Sequence, residues 1–135
     1  MKRILVGFDG SEGSKRALNR AEVLIDEDGE IFLLSVIMKS HNNLFLYELS
    51  YKKLKEKAKK LANKAIKDLG ERSYQIFGIV SIGDPAVKII DYANKLKVDL
   101  IVLGSRGESE ISKYLLGGVA NKVVQYAAKP VMVVR

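Results

Sequence analysis

Residues 83–107 read GDPAVKIIDYANKLKVDLIVLGSRG. Asp84-Pro85 is a helix start, with a capping carboxylate followed by proline at the first helical position, where its missing N–H costs nothing. Val87, Ile90 and Ala93, with Ile89 and Leu96 beside them, give the helix an apolar face. Leu100–Leu103 is then an apolar run without polar alternation, which suits a strand buried on both faces of a parallel sheet. It runs out into Gly104-Ser105-Arg106-Gly107.

The same alternation extends to both sides. Arg3–Phe8, Ile31–Ile37, Tyr74–Val80 and Val131–Val134 are further short runs rich in Val, Ile and Leu. Amphipathic segments separate them. The first, about 11–25, carries Ala17, Leu18, Ala21, Leu24 and Ile25 on one side, with Ser11 as cap and Glu12 favouring the positive N-terminal end. The second, about 47–69, repeats Tyr47, Tyr51, Leu54, Ala58, Leu61, Ala65 and Leu69 at spacings of three and four, one apolar stripe. The last, about 118–128, turns Ala120, Val123, Val124 and Ala127 inward and is stopped by Pro130. His41-Asn42-Asn43 marks the longest loop. The order β-α-β-α-β-α-β-α-β predicts a single α/β domain over residues 1–135, an open parallel sheet with helices on both faces and right-handed crossovers.

With 135 residues, one core is the expectation. The absence of Cys removes disulfides, thiolate metal sites and a Cys nucleophile, and a single His removes multi-His zinc sites. No apolar run approaches the ~20 residues of a membrane span, and the N-terminal run, broken by Asp9, is too short for a signal peptide core. A cytoplasmic protein without a membrane partner is expected. The net charge of +7 gathers on the second helix, at Lys52, Lys53, Lys55, Lys57, Lys59, Lys60, Lys64 and Lys67. They fall opposite the apolar stripe and read as a solvated face; a nucleic-acid surface would add Arg and exposed aromatics.

Open parallel sheets bind ligands beyond the carboxyl ends of their strands, where the strand order reverses. Two places there stand out. Asp9, in Gly7-Phe8-Asp9-Gly10-Ser11, either caps a turn or accepts from a ligand hydroxyl or amine. After the fourth strand, Gly104-x2-Gly107 is followed by Gly117-Gly118 at a helix start. These glycines either serve tight turns or let an anion approach free N–H groups at the positive end of a helix. Known alternatives fail: there is no GxxxxGK[ST] loop, no GxGxxG after the first strand and no His-x-Gly-His.

The spacing Gly104-x2-Gly107-x9-Gly117 within LIVLGSRGESEISKYLLGGVANKVV, the following KPVMVVR and the opening KRILVGFDGSEGSKRAL together resemble the universal stress protein family over nearly the whole chain. The resemblance implies a Rossmann-like sheet of order 3-2-1-4-5 and a homodimer paired through the C-terminal strand. It also implies, in some members, bound ATP, with or without Mg2+, in a regulatory role. By position, Asp9 with Gly7 and Phe8 would face adenine and ribose, and the backbone of Val36 would meet the adenine. Gly104 and Gly107 would lie along ribose and phosphates, and Gly117, Gly118, Val119 and Ala120 would cradle the phosphates. ATP-binding members carry Ser or Thr where this chain has Gly118, and often another where it has Ala120. Two hydroxyl donors are therefore gone, each worth about 1.5–3 kcal/mol to a charged acceptor. Arg106, Ser105 and Lys122 are the candidates to compensate. Other members lack the motif, so a nucleotide-independent interaction module is the alternative; catalysis is at most a slow ATPase.

Overall fold

A computed structural model describes residues 1–38, 44–105 and 116–135, with the backbone alone described along 44–49. The elements follow the alternation: β1 (Arg3–Gly7), α1 (Glu12–Leu24), β2 (Glu30–Ile37), α2 (Leu44–Asp68), β3 (Gln75–Ile82), α3 (Pro85–Lys95), β4 (Leu100–Gly104), α4 (Gly118–Tyr126) and β5 (Val131–Val134). The strands form one five-stranded sheet in the order β3-β2-β1-β4-β5, all pairs parallel. This is the predicted architecture and order. Among the described residues no helix is long and apolar enough to cross a membrane. The His41-Asn42-Asn43 loop and the Tyr47 side chain lie outside the described residues.

Side-chain alternation along the strands splits the core in two. Ile4, Val6, Ile31, Leu33, Leu100 and Val102 face α1 and α2, meeting Ala17, Leu18, Ala21 and Ala62. Leu5, Phe32, Leu34, Ile101 and Leu103 face α3 and α4, meeting Ala86, Ile89, Ala93, Ala120 and Val123. The amino ends of the strands are tied together by Asp99, whose Oδ2 accepts from the backbone N–H groups of Lys2 at 2.9 Å and Arg3 at 3.0 Å. Those two donors hold its carboxyl below the usual carboxylate range.

α1 buries its expected face, Ala17, Leu18 and Ala21 with Leu24 and Ile25 packed beside them, whereas α2, α3 and α4 differ in part from the sequence expectation. On α2 the buried side chain among those described is Ala62, while Leu54 and Leu61 are 44% and 36% exposed. Ala62 packs over Gly78 on β3, where a Cβ would lie in ordinary contact, 3.8 Å from the Ala62 methyl. Leu54 and Leu61 of the predicted stripe are turned to its flank, while Ala65 and Leu69 pack against the core as expected. In the same way α3 buries Ala86, Ile89 and Ala93 and exposes Val87, and α4 buries Ala120 and Val123 and exposes Val124. The eight lysines of α2 are exposed, as expected, and Lys64 pairs with Asp68 one turn away at 3.1 Å. β3 runs two residues beyond the predicted Val80, because Ser81 and Ile82 pair with Val36 and Ile37.

Candidate functional site: a cleft at the switch point

β1 lies between β2 and β4, and the chain crosses from one face of the sheet to the other between them. Beyond the carboxyl ends of these strands is a cleft of about 460 Å³, within the usual range for small-molecule sites of roughly 300–1,000 Å³. Gly7, Phe8, Asp9, Val36, Gly104, Gly117, Gly118, Val119 and Ala120 all line it. Of the predicted site residues only Gly107 is missing, because it lies outside the described residues, as does Arg106. Residues distant in sequence are thus brought to one place by the fold.

Asp9 fulfils the turn reading and keeps a second capacity. Its Oδ1 accepts from the Ser11 N–H at 2.9 Å, an Asx turn that bends the chain from β1 into α1. Gly10, at φ +84°, completes the bend. Ser14 Oγ donates to the Ser11 carbonyl at 2.9 Å, and Ser11 Oγ accepts from the Ser14 N–H at 3.2 Å. Asp9 is exposed, and among the described residues its Oδ2 has no partner. Phe8 sends its ring into the core on the α1–α2 side and donates its N–H to Leu34, so it offers the cleft mainly backbone.

The phosphate side of the expectation rests on α4. Gly117 is its N-cap and offers no side-chain cap, whereas Ser11 caps α1 and Asp84 caps α3 through Val87 N–H at 3.0 Å. Gly117 N–H is itself engaged, donating to the Ser105 carbonyl at 2.6 Å. The first bond into the α4 backbone comes from Asn121, so among the described residues Gly118, Val119 and Ala120 keep the free N–H groups that a helix start leaves. The Ala120 methyl is packed in the core beside Val123, and this position contributes backbone only.

Two of the candidate compensating donors are described: Ser105 lines the cleft, and Lys122 lies beside Asp84. Ser105 is buried, with its N–H on Val134 at 2.8 Å and its carbonyl on Gly117. Lys122 Nζ lies 3.8 Å from Asp84 Oδ1. Gly104 has a structural reason of its own: a Cβ would come within 2.8 Å of the Gly13 backbone, where α1 crosses the end of β4. Sequence reasoning passed over Ser14, Leu34, Met38, Pro85, Ile89 and Leu103 as lining residues. Leu34 and Met38 could have been found from the period-two pattern leading through Val36. Ile89 and Leu103 carry no signal that separates a cleft floor from a core.

The Usp model, described as the universal stress protein family, matches residues 1–135. The universal stress protein MJ0531 of Methanocaldococcus jannaschii is 33% identical, over 99% of this chain and 82% of its own length. The solved structure of MJ0577 from the same organism is similar at a TM-score of 0.88 and 32% identity, covering 98% of this chain and 94% of that one. More distant structures share the fold: a universal stress protein in complex with cAMP (TM-score 0.70, 22% identity, 99% of this chain and 96% of that one) and an Arabidopsis thaliana family protein with AMP bound (0.73, 21%, 99% and 91%). With the motif spacing, the strand order and the full-length match in agreement, this chain belongs to the universal stress protein family.

Proposed function

We propose that the cleft binds an adenine nucleotide and that the protein acts as a homodimeric regulatory module of the stress response rather than as an enzyme. The observation that carries this reading is the uncapped start of α4. Its free N–H groups at Gly118, Val119 and Ala120 line the same cleft as the Asp9 carboxylate. The α4 start therefore suits an anion, and Asp9 offers an acceptor for hydroxyl or amine hydrogens. The apolar side chains of Leu34, Val36 and Ile89 in the same lining suit a flat base. AMP and cAMP in two proteins of this fold support the capacity of the architecture to hold such ligands; at that distance they do not speak for individual residues here. Occupancy would act on the surface around Ser105 and Gly117, where β4 leaves the sheet and α4 begins, and so on a protein partner docked there.

The second reading, an interaction module that works without nucleotide, is favoured by one specific feature. Gly118 and Ala120 replace the hydroxyl residues that ATP-binding relatives are expected to carry. Mass spectrometry of small molecules released from the purified protein, with titration of adenosine, AMP and ATP against guanosine and GMP, separates the two. The nucleotide reading expects adenine compounds to bind and guanine compounds to bind at least tenfold more weakly. Absence of binding by every adenine compound would leave the interaction module standing.

A further inference from the structure

β3 is the edge of the sheet opposite to β5, and among the described residues it pairs with β2 alone. It has eight residues against the four of β5, and its sequence, Gln75–Ile82, holds no charge and no proline. The register runs unbroken from Gln75 on Glu30 to Ile82 on Ile37, so no bulge bends the strand away. Gln75 and Gly83 donate to the carbonyls of Gly29 and Ile37. Alternation then gives Phe77, Ile79 and Ser81 to β2 and turns the N–H and C=O groups of Ile76, Gly78, Val80 and Ile82 outward. Exposed edges are ordinarily blunted by lysine, proline or a bulge within the strand, and β3 carries none of these.

The two sides of this edge differ in chemistry. On the α3 side Phe77 is 42% exposed, its ring stacked on Phe32 with centroids 5.6 Å apart. On the other side α2 covers the strand, with Ala62 and Ile66 over Gly78. Leu61, on the far flank of α2, lies over Gly10 beyond β1, so the flank that carries Ile66 is the one toward the open edge. Lys59, Lys55 and Lys52 stand about two, three and four turns before Ile66 on that flank, and all three are exposed. Over residues 51–67 the eight lysines of α2 are accompanied by one acid, Glu56.

We propose that the β3 edge takes an extended acidic segment of a partner protein as a sixth strand. Main-chain bonds to Ile76, Gly78, Val80 and Ile82 give the affinity, and alternate side chains give the selection. Apolar residues of the segment lie beside Phe77; acidic residues lie on the other side, under the lysine flank of α2. The same charge argues against a second copy as the occupant. Antiparallel pairing of two β3 edges about a two-fold axis normal to the sheet puts both α2 helices on one face, lysine flank to lysine flank, and like charges there repel. The proposal does not depend on nucleotide in the cleft.

Fluorescence polarisation of a labelled ten-residue peptide alternating Glu and Val, titrated with the full chain, tests it, with a peptide alternating Lys and Val as control. The acidic peptide should bind about tenfold more tightly than the basic one, the effect of a few exposed ion pairs, and the preference should shrink as salt rises. Amide exchange followed by NMR on the unaltered protein locates the contact. The acidic peptide should slow exchange at Ile76, Gly78, Val80 and Ile82 and leave Phe77 and Ile79, already bonded to β2, unchanged. Val80→Pro removes an outward donor and keeps the bonds to β2, so binding should fall about tenfold or more. Lys55→Glu combined with Lys59→Glu, both exposed positions, should remove the preference for acid. Melting curves confirm that the variants are folded. Equal binding of both peptides, or binding of neither, would overturn the proposal. So would acidic-peptide binding that leaves the β3 amides exchanging freely, which makes α2 a surface for polyanions such as RNA. Exchange at those amides slowed by raising the protein concentration alone would overturn it in favour of a second copy.

Discussion

At Gly118 a Cβ would meet nothing within 4 Å, whereas at Gly104 it would come within 2.8 Å of the Gly13 carbonyl carbon. Two glycines of one motif thus have separate physical reasons. Gly104 lets α1 cross β4 in contact, so Gly104→Ala should cost about 1–3 kcal/mol of stability through overpacking, in the absence of any ligand. Urea denaturation would measure it. Gly118 sits in open space at the first position of α4, where Ser has a better helix propensity than Gly. Gly118→Ser should therefore leave the melting temperature nearly unchanged. It should strengthen binding of AMP and ATP by about tenfold, the value of one charge-assisted hydrogen bond of roughly 1.5 kcal/mol, and leave adenosine unaffected. Calorimetric titration of the three ligands would show whether the gain tracks the phosphate.

The helices show what amphipathic spacing can and cannot reveal. On α2, Ala62→Asn should destabilise the protein by about 2 kcal/mol or more, since it overpacks the contact with Gly78 and buries an amide. Leu54→Gln, on the exposed flank, should stay within about 0.5 kcal/mol. Equilibrium unfolding of the pair would discriminate the observed face from the leucine stripe that the sequence suggests. Existence, type and order of all the elements were legible, because continuous apolar runs, the Asp84-Pro85 start and the Pro130 stop act locally. The face of α1 was legible too, but the exact rotation of α2, α3 and α4 was not. It depends on packing against the sheet, as of Ala62 over Gly78, and spacing within one helix carries no record of the partner strand. The same limit applies to the cleft. Asp9 and the glycines of 104 and 117–118 announce themselves as turn and helix-start residues, and the fold brings them together. That Lys122 lies against Asp84 and that Gly104 lies against Gly13 depend on long-range packing.

For the whole molecule, β5 is an edge strand of apolar residues, Val131–Val134, and a bare edge of this kind invites pairing. Ile101 and Ser105 donate to the carbonyls of Pro130 and Val134, so alternate residues of β5 bond to β4, and Val133 turns its N–H away from the sheet. Pairing of this edge with its copy about a two-fold axis would satisfy those groups. Light scattering should give about 30 kDa, twice the 15.0 kDa of the chain. Val133→Pro should give monomer or aggregate, since it removes an outward donor while leaving the bonds to β4 in place. A monomeric wild type at micromolar concentration would contradict this assembly. The central claim, a cleft that holds an adenine nucleotide, is tested most directly by thermal unfolding of the wild-type protein with and without saturating AMP. A ligand bound by the native state alone, at a hundred times its dissociation constant, stabilises by about 2.7 kcal/mol, so the melting temperature should rise by roughly 5–10 °C. A melting temperature unmoved by millimolar adenosine, AMP and ATP alike would contradict the claim.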